Sequence, residues 1–280
     1  MRALALTALL VLGAASPALA SRQIIGSEQD HSLAGGTGDC ESFYTMTFTS
    51  FRAQMNDREQ REIQLEGVDS LRVNASSEGG VSIRGWNRPY ARLIVCRYAV
   101  AHTKEQATRL LAAIAVSHQN GEITATGPRI DDTQAWWANM TLYVPRRAAV
   151  EVRAENGGVA IRNMSGRVTA QTTRGGISVA QSSGRYKITT NSGGITLERV
   201  SGHIEATSRQ GAIALKLSAS DVPTVEAKIA GGSEIHCSLR GCEEGGLGVW
   251  GAGRKALRLG GGIPDIRLST ADAPITLAPL

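Results

Sequence analysis

Between residues 157 and 217 apolar and small polar positions alternate in short bursts, and each burst is punctuated by glycine. Gly157, Gly166, Gly175, Gly184, Gly193, Gly202 and Gly211 recur at one interval of nine residues. Apolar residues stand two and four places after each glycine, which is the alternation of a strand with one buried side. Ser, Asn or Gly returns too soon after each apolar run for a helix to fit. The unit is two nines of different character. One begins Gly157-Gly158-Val159-Ala160-Ile161 and recurs from Gly175, Gly193 and Gly211; the other begins Ser165-Gly166-Arg167-Val168 and recurs from Ser183 and Ser201.

One such strand cannot bury its apolar side alone, but stacked turns can. The pattern predicts a mainly β chain wound as a β-solenoid, a single-stranded β-helix or β-roll-like coil with 18-residue turns. Its core is expected in two ladders. One holds Val159, Ile177, Ile195 and Ile213, flanked by Ile161, Val179, Leu197 and Leu215; the other holds Val168, Tyr186 and Ile204 beside Ala170, Ile188 and Ala206. Glycine at each corner allows a positive φ or a close backbone approach. Outward positions Ala160, Ser178, Thr196 and Ala214 are small or hydroxylic, and Lys187 should stack on Glu205 one turn later.

Outside this stretch the pattern loosens. Residues 43–51 alternate and form a candidate strand in an N-terminal arm over 21–60. The coil is expected over 61–280 as one domain, most regular from 150 to 217, starting near residue 61 and closed by 263–277. Residues 103–114 break the strand pattern. Thr103 and Gln106 make a capping box, and Ala107, Leu110, Leu111 and Ile114 share one face, so one α-helix is inserted here. Asn120-Gly121 marks a hairpin turn, and 135–145 a further strand.

The run Gly79-Gly80-Val81-Ser82-Ile83-Arg84-Gly85-Trp86, the helix at 103–114, the step Tyr143-Val144-Pro145 and the turns from Asn156-Gly157-Gly158-Val159 together resemble the bacterial "putative adhesin" family of exported domains of unknown function. The resemblance covers about residues 61–220. It implies surface or envelope interaction and brings no catalytic residues with it.

Residues 1–20 read as a secretory signal, with Arg2, an apolar stretch from Leu4 to Gly13, and Ala18-Leu19-Ala20 before the cleavage point. The mature chain is thus expected to be exported, to the periplasm, the cell surface or the medium, without a membrane span. Loss of Arg2 takes the formal charge from +5 to +4, which is mildly basic. Four cysteines suit an oxidising compartment, and the expected pairs are Cys237–Cys242 and Cys40–Cys96. The low aromatic content, 4%, agrees with a thin core of Val, Ile, Leu and Ala.

The motifs of catalysis are missing. Calcium-binding rolls need a recurring Asp, and residues 157–217 hold only Glu198 and Glu205 as carboxylates. Asp131-Asp132 and Glu243-Glu244 are adjacent pairs, whose members point to opposite sides of a strand. No Gly-x-Ser-x-Gly, His-Glu-x-x-His or phosphate-loop motif occurs. No cofactor or metal is expected. Candidate contact residues are Arg167, Arg185 and His203, one column in successive turns, with Arg174 and Arg209 beside it. Trp136 and Trp137 offer indoles for sugar stacking, though a strand directs only one of them outward, and Trp86 and Trp250 are read as seals of the coil ends.

The reading is an adhesin-like, non-catalytic binding or scaffold module of the cell envelope. Its partner would be an anionic glycan, an envelope component or another protein, and not a nucleic acid; the oligomeric state is open. The alternatives are a polysaccharide-active enzyme, hydrolase or lyase-like, on the same β-helix, and a purely structural envelope spacer.

Overall fold

The computed structural model describes residues 53–63, 70–218, 223–242, 249–250 and 254–280. The expected signal, residues 21–52 of the arm with its candidate strand, Cys40 and Glu243-Glu244 lie outside them. The described residues form 19 strands in one sheet and one helix.

The sheet is best followed as two ladders joined at corners. The first runs, in hydrogen-bonded order, through Ala115–Gln119, Glu122–Thr126, Ser70–Asn74, Ala149–Ala154, Arg167–Thr172, residues 185–190 and 203–208, Ile266–Thr270, Val225–Ile229, Ala256–Leu259 and Val249–Trp250. The second runs through Ala53–Ile63, Ala91–Ala101, Ala135–Pro145, Val81–Trp86, Val159–Arg162, residues 177–180 and 195–198, Ile213–Leu217, Ile275–Pro279 and Ile235–Cys237. The middle of each ladder is parallel, and antiparallel strands occur only toward the ends.

The register explains the glycine interval. Val159 pairs with Ile177, Ile177 with Ile195, and Ile195 with Ile213; on the other ladder Val168 pairs with Tyr186 and Tyr186 with Ile204. All of these side chains are buried and belong to one continuous apolar cluster. Truncating one of the large ones to Ala should cost about 2–5 kcal/mol.

The corners use close approach. A Cβ on Gly175 would collide with the backbone of Gly157 and Gly158 one rung below, and Gly193 and Gly211 repeat that relation to Gly175 and Gly193. At the opposite corner Asn163, Gln181 and Arg199 take left-handed φ of 59°, 50° and 50°. Behind the glycines stands a buried hydroxyl column that the sequence reading did not contain: Thr172, Thr190, Ser208 and Thr270. Thr190 Oγ1 donates to the Gly175 carbonyl and accepts from Gly193 N, and Ser208 Oγ does the same with Gly193 and Gly211. Buried corner amides and carbonyls are thereby satisfied, as burial demands.

Both ends depart from chain order in the same way. The rung built from residues 70–74 and 81–86 sits between the later pair 122–126 with 135–145 and the pair 149–154 with 159–162. At the other end, 266–270 and 275–279 slot between 203–217 and the earlier 225–237. Residues 263–277 therefore do not close the stack. Ile266, Leu268, Ile275 and Leu277 are fully buried side chains that need a rung on either side. The edge beyond Val225–Ile229 is covered by antiparallel Ala256–Leu259, which leaves fewer open backbone groups.

The inserted helix is Lys104–Ala112, with the expected Thr103–Gln106 capping box, and it buries Ala107, Leu110 and Leu111 in the main core. The Asn120-Gly121 turn has both residues at positive φ, 51° and 73°, the primed geometry that suits a twisted hairpin. A second cluster lies on the other side of Ala91–Ala101 and Ala135–Pro145: Ile94, Cys96, Tyr98, Val100, Ala135 and Trp137. Cys237 and Cys242 form a disulfide, as expected. Cys96 is also disulfide-bonded and is 1% exposed; its expected partner Cys40 is outside the described residues.

Candidate functional site

Strand alternation decides which side chains reach solvent. On the first ladder Val168, Tyr186 and Ile204 point inward, so Arg167, Arg185 and His203 stand outward in one line, paired Arg167 to Arg185 to His203. The line is short. His203 Nε2 lies 3.7 Å from Glu205, and Asp265 follows it in the next strand's register. Arg174 and Arg209 are not beside this line. They follow the far ends of the strands that start at 167 and 203, about 20 Å away at 3.3 Å per residue. Arg174 Nε is hydrogen-bonded to Asn156 Oδ1 at 2.6 Å.

Neither indole of the Trp pair offers a stacking platform. Trp137 is 3% exposed and stacked on Tyr98 at 5.1 Å. Trp136 is half-buried against the main core and donates from Nε1 to the Pro128 carbonyl. Lys187 and Glu205 are register partners, and Glu205 lies 3.9 Å from Arg267 and 3.7 Å from His203.

The outward face of the second ladder holds a cluster that the sequence reading missed. One register line runs Arg92, Tyr143, Arg84, Arg162, Ala180, Glu198 and Lys216. Three arginines and a tyrosine are thus stacked across four strands. Trp86, also outward, organises them. Arg92 and Arg88 place their guanidinium carbons 5.3 and 5.8 Å from its ring, and Arg84 lies 5.8 Å from the Tyr143 ring. Tyr90 meets the indole edge-on at 5.0 Å and Tyr143 lies tilted at 5.5 Å. Trp86 Nε1 donates to the Tyr90 carbonyl at 2.9 Å, which fixes the ring. Trp86 therefore holds the arginines in place by cation–π contact; it does not seal an end.

Beside it opens a groove of about 430 Å³ lined by Trp86, Asn87, Arg88, Pro145, Arg146, Arg147 and Ser165, with no carboxylate among the lining residues. Arg162 shows the strain of this arrangement. Burial and the neighbouring Arg84 and Arg199 push its guanidinium below the usual arginine range, with Glu198 opposing. Its Nε is buried with no hydrogen-bond partner among the described residues. The sequence signal was present in Trp86-Asn87-Arg88-Pro89-Tyr90-Ala91-Arg92, where aromatic and basic residues interleave.

Between the arginine line and the glycine corner runs a second outward line, Ala160, Ser178, Thr196 and Ala214; Ser82, next in the same register, is buried. Its small side chains make a flat track along the stack. A second groove of about 420 Å³ lies near the other end, between Lys228–Ala230, Lys255–Ala256 and Ser269–Thr270. Among the described residues no group of three or more His, Cys, Asp or Glu could hold a metal ion.

Stacked, mainly parallel strands with flat outward faces define a mainly β fold. The profile of the Toastrack DUF4097 family matches residues 60–236, more than half of the chain, and the chain belongs to that family. Among curated proteins no relative is found. Solved structures with similarity include a "putative cell adhesion protein" from Clostridium sporogenes, 11% identical over 81% of this chain and 100% of its own, TM-score 0.40. A "putative adhesin" from Bacteroides fragilis is 12% identical over 80% and 97%, TM-score 0.38. A "putative lipid binding protein" from Parabacteroides distasonis is 11% identical over 79% and 96%, TM-score 0.33.

Proposed function

We propose that the chain is an exported β-solenoid with 18-residue turns that serves as a non-catalytic, adhesin-like binding or scaffold module of the bacterial envelope. The observation that carries this reading is the flat track Ala160, Ser178, Thr196 and Ala214, in register over successive strands. A track of small side chains suits lengthwise contact with a polymer or a surface. Small-molecule sites, by contrast, are concave and enclose their ligand.

The acids support the same reading. Glu205 and Glu226 flank Arg267 at 3.9 and 3.7 Å, so they are neutralised within a ladder. Glycoside cleavage needs two carboxyl groups facing one bond across open space. The Cys237–Cys242 disulfide fits an oxidising compartment, and no helix among the described residues is long and apolar enough to cross a membrane. The partner class is an anionic glycan, an envelope component or another protein, and the line Arg167, Arg185 and His203 is one edge at which it would touch.

The test is a glycan array with the purified mature protein, read for both retention and product release. Retention without turnover is expected, and turnover of any glycan contradicts the reading. Arg167→Ala with Arg185→Ala should weaken retention of anionic glycans if that edge takes part; unchanged retention removes it.

A further inference from the structure

We infer that the outward apolar face of Ala91–Ala101 and Ala135–Pro145 is the docking seat of the chain's own N-terminal arm, held there by a Cys40–Cys96 disulfide with Tyr44, Met46 and Phe48 turned toward the sheet. The inference stands apart from the binding-module reading above and concerns what covers one face of the stack.

Outward positions of this stack are as a rule small or charged, as in the columns that start at Ala160 and Arg167. These two strands are the exception. On their outward side Ile94, Cys96, Tyr98, Val100, Ala135 and Trp137 form a cluster of their own, each at most 9% exposed. The register sets Tyr98 against Trp137 and Val100 against Ala135, so the members stand side by side on one flat face. Side chains on a single layer keep their upper surface open unless a second layer covers them. Among the described residues the one other apolar side chain packed against the cluster is Tyr143, which belongs to the same two strands. The inserted helix is not the cover, because its Ala107, Leu110 and Leu111 lie in the main core on the other side.

Cys96 identifies the cover. It lies inside the cluster and is disulfide-bonded. The chain has four cysteines and Cys237 is bonded to Cys242, which leaves Cys40. Geometry then fixes the side of approach. Both edges of Ala91–Ala101 are occupied, by Ala53–Ile63 with Arg58 opposite Cys96 and by Ala135–Pro145 with Asn139 opposite it. A segment added in the plane of the sheet beyond Ala53–Ile63 would lie two strands, about 9.6 Å, from Cys96, outside the roughly 4.4–6.8 Å between the Cα atoms of a disulfide. Cys40 therefore comes in over the face.

Sequence spacing supplies the contacts. In an extended segment residues two apart share a side, so Tyr44, Met46 and Phe48 share the side of Cys40, and Thr45, Thr47 and Thr49 take the other. A disulfide that turns Cys40 toward the sheet turns those three apolar side chains toward it as well. The tether is long enough. Ala53 pairs with Ala101, which is about 17 Å along the strand from Cys96. The chain from Cys40 to Ala53 spans up to about 43 Å when extended, so it can cross Tyr98 and Val100 before entering its strand.

The test uses the purified mature protein. Peptide mapping without reductant should recover the Cys40 and Cys96 peptides joined; Cys40 found free or joined elsewhere overturns the inference. Hydrogen exchange then locates the arm. Y44D/M46D/F48D places charge on the side turned to the sheet, and T45D/T47D/T49D makes the same charge change on the opposite side. The first triple should speed exchange over residues 94–100 and 135–137 by about tenfold or more, as expected when a covering layer is lost. Residues 177–197 should stay as protected as in the wild-type protein, and the second triple should leave all of these rates unchanged. Equal effects of the two triples, or no change in either, overturns the inference. Should Y44D/M46D/F48D also unfold the central rungs, Met46→Asp and Thr47→Asp are compared in the same way, and equal rates in these two single variants overturn it.

Discussion

Two charged lines on this protein obey opposite rules. On the first ladder the outward register runs Lys187, Glu205, Arg267, Glu226, Arg258, and the sign alternates at every step. The Glu226 carboxyl, hydrogen-bonded by Lys228 and surrounded by arginines, is held below the usual carboxylate range. On the second ladder Arg92, Arg84 and Arg162 share one line with a tyrosine and no acid between them. Both lines sit on strands about 4.8 Å apart, so both face the same Coulomb term, on the order of 1 kcal/mol per close pair near the surface. The alternating line uses that term for stability. On the other line Arg84 meets Arg162 directly, Glu62 is the register partner of Arg92 at the outer end, and cation–π contact with Trp86 holds Arg88 and Arg92.

The sharpest way to break the comparison is to remove the strand spacing that both lines share. Gly175→Val drives a side chain into the Gly157 backbone and should cost about 4 kcal/mol or more, lowering the midpoint in urea. Gly176→Ala, whose Cβ would meet the Gly194 carbonyl oxygen at 3.3 Å, should cost about 1 kcal/mol or less.

Next in size is a pH effect beneath the first ladder. Tyr186 is 1% exposed, its hydroxyl donates to the Met164 carbonyl, and burial pushes its pKa up from 10.0 to about 12. A raised phenol pKa gives stability that is whole below pH 10 and is lost as pH rises toward 12, in total about 3 kcal/mol. Tyr186→Phe should remove this alkaline slope while costing about 1 kcal/mol at neutral pH, measured by denaturant titration at several pH values.

Arg267→Glu converts the alternating line into three acids in a row. It should destabilise by about 1–2 kcal/mol, and added salt should recover part of the loss. Arg162→Leu is the opposite experiment. It relieves repulsion with Arg84 and removes an unpartnered buried Nε, so it should leave stability unchanged or raise it by up to about 1 kcal/mol. A loss as large as that of Arg267→Glu would show that the two lines do not differ.

How far this contrast could be read from the chain follows from which contacts are local. The interval of nine glycine-marked residues set out both central ladders, and Val159, Ile177, Ile195, Ile213, Val168, Tyr186 and Ile204 are all buried. The helix and its cap were legible for the same reason, since Thr103 and Gln106 are three residues apart. The rung exchanges at the ends were not. Nothing local in 81–86 indicates pairing with both 135–145 and 159–162. The arginine line was hidden for that reason too, because its members come from strands that begin far apart in sequence. Each arginine alone resembles any solvated residue; only the pairing makes them neighbours. Conversely Arg174 and Arg209, grouped with Arg167 by interval, lie at the other ends of their strands.

The central claim is that the glycine-spaced strands stack in register, each directly over the next. It is tested most directly by disulfide cross-linking of cysteines placed at outward positions. Ser178 and Thr196 are register partners on adjacent strands, about 4.8 Å apart and within disulfide reach, whereas Ser178 and Ala214 are two strands apart. The account predicts that S178C/T196C cross-links on mild oxidation and that S178C/A214C does not. No cross-link in S178C/T196C, or equal cross-linking in both, would contradict it.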